Sequence, residues 1–155
     1  MVEFLGEYEV TLDAKGRFLL PAGFKKQLPE GDTQFVLNRG FEKCLTLYPV
    51  KVWEPIVRKI SRLNDFKPNV RRFSRRFLNG ATRMELDTAG RLLIPPGLKE
   101  YAGLEKDIVL VAGLKKIEIW DKTAYKALLD SYAEDEEAFS NLASSVMGDE
   151  DLDDL

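Results

Sequence analysis

The chain has 155 residues, 45% of them hydrophobic and 32% charged, and these values are typical of a globular protein. It contains no histidine and one cysteine, Cys44, which excludes a Ser-His-Asp triad, a histidine-based zinc site and an intrachain disulfide. No stretch approaches the roughly 18 apolar residues of a membrane-spanning helix, and the first residues do not resemble a signal peptide. We therefore expect a cytoplasmic protein with no membrane association.

The charges are distributed unevenly along the chain. The formal net charge is −3, yet no Lys or Arg follows Lys126, and nine acidic residues lie between Glu134 and the last residue. Residues 1–133 therefore carry 23 basic and 17 acidic groups, a net charge of +6, and residues 1–79 account for that excess. A basic body of this kind is suited to a polyanionic partner such as nucleic acid.

An internal repeat organises the sequence. Residues 6–25 align with residues 80–99 at a spacing of 74 residues. The matched positions include Leu12/Leu86, Asp13/Asp87, Gly16/Gly90, Arg17/Arg91, Leu19/Leu93, Pro21/Pro95 and Lys25/Lys99. Each unit spans about 45 residues, too few to bury a good core alone, so we expect the two units to share one.

The first unit is predicted to be rich in strands. Apolar and polar residues alternate over residues 7–12, which predicts a half-buried strand. A turn and a second strand follow, and Pro21 is expected at the first position of a short helix. Two more strands are predicted at residues 35–37 and 45–47.

A helical connector is predicted over residues 53–80. We expect Pro55 in the first turn of a helix, where its missing N–H is tolerated. The later part of the connector carries four arginines, Arg71, Arg72, Arg75 and Arg76. At helical spacing they flank an apolar face, and we expect this surface to pair with acidic groups of a neighbouring subunit; a helix that binds phosphate is the alternative.

The second unit repeats the pattern of the first and is followed by an acidic segment. A short helix over residues 97–102 should end at Gly103, and Asp121 is a candidate N-cap for a closing helix. After about Ala133 the composition predicts a frayed helix and then a disordered acidic tail. The predicted boundaries are residues 7–52 for the first repeat, 53–80 for the connector, 81–124 for the second repeat, and 125–155 for the C-terminal helix and tail.

The Leu-Asp-x-x-Gly-Arg segment of each unit is the strongest local signal. Asp13 can accept a hydrogen bond from the backbone N–H two residues later, and Gly16 supplies the positive φ of a three-residue hairpin loop. Arg17 then lies close enough to Asp13 for a salt bridge. The conservative interpretation is a pair of hairpins, each stapled by Asp and Arg. The turn does not require the arginine, however, and two arginines at equivalent tips of a basic body are suited to phosphates or guanine edges.

The two Asp-x-x-x-Arg segments, each followed by two apolar residues and Pro, resemble the MraZ family. Similarity to that family extends over roughly residues 5–128 and includes Leu45-Thr-Leu-Tyr-Pro, the connector around Arg71-Arg-Phe-Ser-Arg-Arg, and Ile117-Glu-Ile-Trp-Asp. The resemblance implies an α+β, β-rich fold of two interlocked AbrB-like swapped-hairpin repeats that form a split β-barrel pseudo-dimer. It also implies a ring-like homo-oligomer.

The resemblance implies a nucleoid-associated transcriptional regulator that binds double-stranded DNA at direct repeats upstream of the division and cell-wall gene cluster, with repression as the expected outcome. The DNA-binding residues carried over from the family are Asp13, Arg17, Asp87 and Arg91. Lys15 is added to this set, and because its counterpart is Ala89, the first tip is expected to bind more strongly.

The sequence leaves two alternatives to DNA binding open. One is an AbrB-type protein-interaction module, like an antitoxin, that acts mainly through a partner protein. The other is an enzyme that uses Asp13 or Asp87 as a base, which the paired arginine disfavours because it lowers the carboxyl pKa. We therefore predict no enzymatic activity, no cofactor or metal and no small-molecule substrate.

Aromatic residues and the cysteine are expected to be structural. Trp53, Trp120, Tyr48 and Tyr125 fall at sites that are equivalent in the two repeats and are predicted to anchor the core or an interface. Cys44 precedes an apolar strand and is predicted to be an unreactive buried thiol.

Overall fold

The computed structural model describes residues 2–133 and 135–155. Their first half contains β1 (Glu7–Thr11), β2 (Arg17–Leu19), α1 (Ala22–Lys25), β3 (Gln34–Arg39), β4 (Leu45–Pro49), α2 (Val50–Ser61) and α3 (Pro68–Asn79). Their second half contains β5 (Thr82–Glu85), β6 (Arg91–Leu93), α4 (Pro96–Tyr101), β7 (Asp107–Ala112), β8 (Ile117–Asp121), α5 (Lys122–Ser131), α6 (Glu136–Met147) and α7 (Asp149–Leu152). The predicted β-rich α+β class is confirmed.

The strands of the two repeats pair with each other. One sheet has six strands in the order β1-β7-β8-β4-β3-β5, and a second sheet consists of β2 and β6. All six strand pairs are antiparallel. The first strand of each repeat adds to the third strand of the other, as β1 on β7 and β5 on β3. The order is therefore palindromic about the β8–β4 pair, as expected for two copies related by a pseudo-twofold axis.

The register of the central pairs locates this axis. In the β2–β6 ribbon Phe18 lies opposite its own repeat equivalent, Leu92. In the β4–β8 pair Thr46 lies opposite Glu118, which is also its repeat equivalent. A residue can lie opposite its own repeat equivalent only where the pseudo-twofold axis passes between the two strands. Each of these two pairs therefore lies on the axis.

The prediction of a local hairpin at each turn is wrong in one respect. The backbone bonds from Asp13 N to Arg17 O, at 2.9 Å, and from Gly16 N to Asp13 O, at 3.0 Å, close the turn as expected. Beyond them the strands diverge, because β1 pairs with β7 and β2 pairs with β6. The sequence pattern gives the turn, which is local, but strand partners depend on contacts between distant residues.

The two repeats bury one shared core, as predicted. Its fully buried members include Phe18, Leu20 and Phe24 from the first repeat and Leu92 and Ile94 from the second. A smaller cluster lies beside it, where the Trp53 ring packs 5.3 Å from Tyr48 and 5.5 Å from Phe77, measured between ring centroids. Tyr48, Trp53 and Trp120 are buried, which confirms three of the predicted structural aromatics.

The connector contains two helices, as predicted, but Pro55 does not lie in a first turn. Helix α2 begins at Val50, directly after Pro49, so Pro55 is inside it. An interior proline removes one backbone hydrogen bond. The helix begins earlier than predicted because the apolar side that it packs on the sheet includes Val50 and Val52 as well as Trp53.

The segment Thr123–Leu155 forms a compact unit of its own and contains α6 and α7. The helix predicted after about Ala133 is present as α6, whereas the disordered acidic tail predicted beyond it is not confirmed for the described residues. The side chain of Asp135 caps α6 by accepting a hydrogen bond from Ala138 N at 2.7 Å. Glu136 and Glu137 occupy the first turn, where negative charge is favourable next to the helix dipole. Acidic composition indicated disorder, but these acids are placed where they stabilise a helix start.

Within residues 2–133 and 135–155 no helix is both long and apolar enough to cross a lipid bilayer. The same residues contain no cluster of three or more carboxylate, thiol or imidazole groups that could hold a metal ion.

Candidate nucleic-acid interface

The first turn is held together by the carboxylate of Asp13. Its Oδ1 accepts hydrogen bonds from the backbone N–H groups of Lys15 and Arg17, both at 2.9 Å. Its Oδ2 accepts one from Arg17 Nε at 2.7 Å. Gly16 adopts a φ of +83°, a conformation that side chains with a β-carbon rarely adopt. The predicted Asx bond, glycine conformation and salt bridge are all confirmed here.

The second turn reproduces the first almost atom for atom. Asp87 Oδ1 accepts from Ala89 N at 2.9 Å and from Arg91 N at 2.8 Å, and Asp87 Oδ2 accepts from Arg91 Nε at 2.9 Å. Gly90 has a φ of +81°. The repeated sequence therefore specifies a repeated constellation of backbone and side-chain bonds.

These bonds lower the pKa of both carboxyl groups. The largest cause is the hydrogen bond from the arginine backbone N–H, and the guanidinium adds to it, so the pKa values of Asp13 and Asp87 lie below the ordinary value of 3.8. Both side chains are therefore ionised at neutral pH, which keeps the ion pair with the arginine intact. A carboxylate whose pKa is lowered is a weak general base.

The aspartate occupies only one edge of each guanidinium. Within the described residues, Arg17 and Arg91 donate side-chain hydrogen bonds through Nε alone. Their terminal Nη groups remain available, and roughly a third of each side chain is exposed, 29% for Arg17 and 35% for Arg91. A guanidinium held at Nε presents its paired Nη groups in one orientation, the geometry required to bind a phosphate or the O6/N7 edge of guanine through two parallel bonds.

Each turn is also anchored by the other repeat. The carbonyl oxygen of Gly16 accepts a hydrogen bond from Ile94 N at 2.9 Å, and that of Gly90 accepts one from Leu20 N at 3.0 Å. Each turn is therefore hydrogen-bonded to the chain of the other repeat. The two arginines lie on one common ribbon rather than on separate loops.

The outer face of the β2–β6 ribbon carries two leucines as well as the arginines. Arg17 lies opposite Leu93, and Leu19 lies opposite Arg91, so all four side chains project from one face. Leu19 is 56% exposed and Leu93 is 51% exposed. These leucines were not predicted to belong to the site. The available signal was the run of consecutive apolar residues after each arginine, because neighbouring residues of a strand point to opposite faces and cannot all enter one core.

Lys15 lies on the first tip and its side chain is exposed, whereas the second tip has the exposed Ala89 in that position. The first tip therefore carries an exposed basic side chain at this position and the second tip does not, which is the difference that the sequence predicts.

The connector arginines form a separate basic surface. Arg71 Nη1 donates to the carbonyl oxygens of Asp65 and Phe66, at 3.0 and 2.9 Å, and Arg76 Nη2 donates to the Tyr101 hydroxyl at 3.2 Å. Among the described residues none of the four connector arginines forms an ion pair with a carboxylate. Their predicted pairing with acids of a neighbouring subunit stays a prediction.

Two β-rich repeats that share one core, and that present two arginines on one ribbon, each paired with its own aspartate, define a class of duplicated α+β proteins. A family described as "MraZ protein, putative antitoxin-like" matches residues 4–76 and again residues 77–145. The chain belongs to the MraZ family.

Curated relatives match nearly the whole chain. The sequence is 43% identical to a protein of Christiangramia forsetii over 99% of this chain and 98% of that one. It is 44% identical to a protein of Flavobacterium psychrophilum over 96% of this chain and 94% of that one, and 43% identical to one of Cytophaga hutchinsonii over 93% and 94%. All three are named transcriptional regulator MraZ.

Proposed function

We propose that the chain is a transcriptional regulator that binds double-stranded DNA in a sequence-specific manner through Asp13, Lys15, Arg17, Asp87 and Arg91. The observation that carries this proposal is the pair of equivalent arginines on one exposed ribbon, each fixed by its own aspartate with the Nη groups free. A fixed guanidinium loses little conformational entropy on binding, and this favours recognition of a defined base edge.

A two-stranded ribbon is narrow enough to enter the major groove of B-form DNA. On the face that carries Arg17 and Arg91, the leucines Leu19 and Leu93 are positioned to contact thymine methyl groups. Each bidentate arginine–guanine pair is worth about 1–3 kcal/mol of discrimination against other bases. The aspartates act as positioning residues, because their oxygens are occupied by the turn itself.

The wider proposal follows the family. It comprises a ring-like homo-oligomer in the cytoplasm, associated with the nucleoid, that binds direct repeats upstream of the division and cell-wall gene cluster and represses it. The exchange of strands between the repeats supports the implied interlocked, AbrB-like swapped-hairpin fold. One ribbon buries little surface, so several ribbons bound to successive repeats gain affinity through effective concentration.

The first test is whether the purified full-length chain binds DNA by itself. A fluorescein-labelled duplex covering the region upstream of its gene is titrated, with a shuffled duplex of the same composition as control. We expect tighter binding to the natural duplex and a steep loss of affinity with salt, because bound Lys and Arg side chains release counterions from phosphates. Equal binding to both duplexes, or none, would contradict the proposal.

A second candidate function is a protein-interaction module related to antitoxins. The description of the matched family favours it, and so do the connector arginines, which form no ion pair with a carboxylate among the described residues. It predicts that the purified chain alone does not discriminate between the natural and shuffled duplexes. The same titration therefore distinguishes the two candidates.

A further inference from the structure

The second turn tip holds a cation that comes from the other repeat. Lys25 is the last residue of α1, in the first repeat. Its ammonium group lies directly against Gly90, where a β-carbon built on the glycine would overlap Nζ and lie 3.1 Å from Cε. The tip that lacks a lysine of its own, because it has Ala89 where the first tip has Lys15, therefore has a lysine beside it.

This placement is not imposed by the repeat. Lys99 is the repeat equivalent of Lys25, yet a β-carbon built at Gly16 would meet only Ile94 O, at 3.3 Å, and Leu93 Cδ1, at 4.0 Å. The leucines, by contrast, follow the symmetry of the repeats. A β-carbon built at Gly90 would lie 3.8 Å from Leu19 Cδ1, which matches the 4.0 Å between a β-carbon built at Gly16 and Leu93 Cδ1. The lysine contact is thus a second asymmetric feature of the ribbon, besides the difference between Lys15 and Ala89.

No carboxylate neutralises this ammonium group within the described residues. Lys25 is exposed and takes part in none of the ion pairs that the structure shows. The neighbouring carboxylate of Asp87 already accepts three hydrogen bonds from Ala89 and Arg91. Glu30 and Asp32 line the same hollow as Lys25 and Gly90. Asp32 pairs with Lys51 at 3.0 Å, and Glu30 forms none of the ion pairs shown among the described residues. The positive charge of Lys25 is therefore added to that of Arg91 at the second tip.

We propose that Lys25 is a DNA-binding residue of the second turn tip, where its ammonium group contacts a backbone phosphate and takes the part that Lys15 has at the first tip. This inference rests on the proposed DNA-binding function. It makes the two tips equal in charge, one lysine and one arginine each, although the sequence alone indicates a stronger first tip. Because a phosphate contact carries no sequence information, Lys25 adds affinity without changing base preference.

The test compares Lys25→Gln with Lys99→Gln as the matched control, each in the full-length chain, on the labelled upstream duplex over a series of salt concentrations. The logarithm of the affinity falls linearly with the logarithm of the salt concentration, and we call the steepness of this line the salt slope. Loss of one phosphate contact lowers the salt slope by about 0.9 for each bound repeat, which corresponds to about eightfold weaker binding at 0.1 M salt. We expect this effect for Lys25→Gln and none for Lys99→Gln. Lys25→Arg, which retains the charge, should bind like the unmodified chain.

A compensating substitution sharpens the test. Adding Ala89→Lys to Lys25→Gln places a lysine on the second tip at the position that Lys15 has on the first, and should restore both affinity and salt slope. Unchanged binding by Lys25→Gln, or equal loss in Lys99→Gln, would overturn the inference while the unmodified chain still binds DNA. If the unmodified chain does not discriminate, the proposed function itself fails. Thermal unfolding of each variant verifies that these exposed substitutions leave the fold intact.

Discussion

Substitution of Leu92 by Ala tests whether the two repeats form one cooperative unit. Leu92 is 1% exposed and lies opposite Phe18 on the pseudo-twofold axis, so its side chain contributes to the shared core from the second repeat. Removal of a buried leucine side chain costs about 2–5 kcal/mol, a large part of the roughly 5–15 kcal/mol that stabilises a typical domain. The free energy of unfolding falls by about 1–3 kcal/mol per molar urea, so the urea concentration at the midpoint of unfolding should fall by on the order of 1–2 M.

Two tryptophans allow the repeats to be monitored separately. Trp53 lies in α2 after the first repeat and Trp120 lies in β8 of the second, and both are buried. In single-tryptophan backgrounds made with Trp53→Phe and Trp120→Phe, at one fixed protein concentration, Leu92→Ala should shift both fluorescence transitions equally. Leu93→Ala is the matched control, since Leu93 is 51% exposed and should change stability by less than about 0.5 kcal/mol. A shift of the Trp120 transition alone would refute the shared core.

Three further predictions concern the turns and the thiol. Gly16→Ala should lower the free energy of unfolding by about 1–2 kcal/mol, because the φ of this residue is +83°. Gly97→Ala should not destabilise the chain, because Gly97 lies in α4 with open space around it. Urea unfolding measures both effects. Folding lowers the carboxyl pKa of Asp13 and Asp87 below 3.8. The two ionised carboxylates therefore contribute fully to the free energy of unfolding above pH 3.8, and this contribution is lost as the pH falls through the lowered pKa values of the folded state. A variant with both aspartates replaced by Asn should accordingly show a shallower loss of stability in acid. Burial raises the pKa of Cys44 from 9.0 to about 12, so the thiol should react with a disulfide reagent at pH 8 only at the rate of unfolding, and fast reaction in the native state would contradict this.

Most of the turn chemistry could be predicted because its bonds are local; the bond from the arginine backbone N–H to the aspartate was the one not predicted. Every bond made by the Asp13 carboxylate joins it to a residue two or four positions later. Geometry over such short distances follows from the preferences of Asp and Gly alone. The duplication then supplied the second turn at Asp87 without further assumptions.

Features that depend on distant parts of the chain were not accessible in the same way. The exposure of Leu19 and Leu93 results from the pairing of β2 with β6, which joins segments about 74 residues apart. The contact of Lys25 with Gly90 also crosses between repeats, and nothing in the first repeat marks Lys25 as different from Lys99. Apolar alternation identifies a strand, but it does not identify which face the partner covers.

The start of α2 was predicted wrongly, and the predicted disorder of the C-terminal tail is not confirmed, for a related reason. Pro55 was assigned to a helix start by its local preference, whereas packing of Val50 and Trp53 on the sheet extends the helix in front of it. Acidic composition indicated disorder, whereas Asp135 provides a specific cap for α6. In both places a few particular contacts outweigh the average preference of the composition.

The central claim, that the two clamped arginines recognise DNA, is tested most directly with the double substitution Arg17→Ala and Arg91→Ala. Arg83→Ala serves as the control, because it removes an exposed arginine of β5 that belongs to neither turn. At about 1–3 kcal/mol for each arginine, the double variant should lose most of its preference for the upstream duplex over the shuffled one, while Arg83→Ala keeps it. Full retention of that preference by a folded double variant would contradict the account.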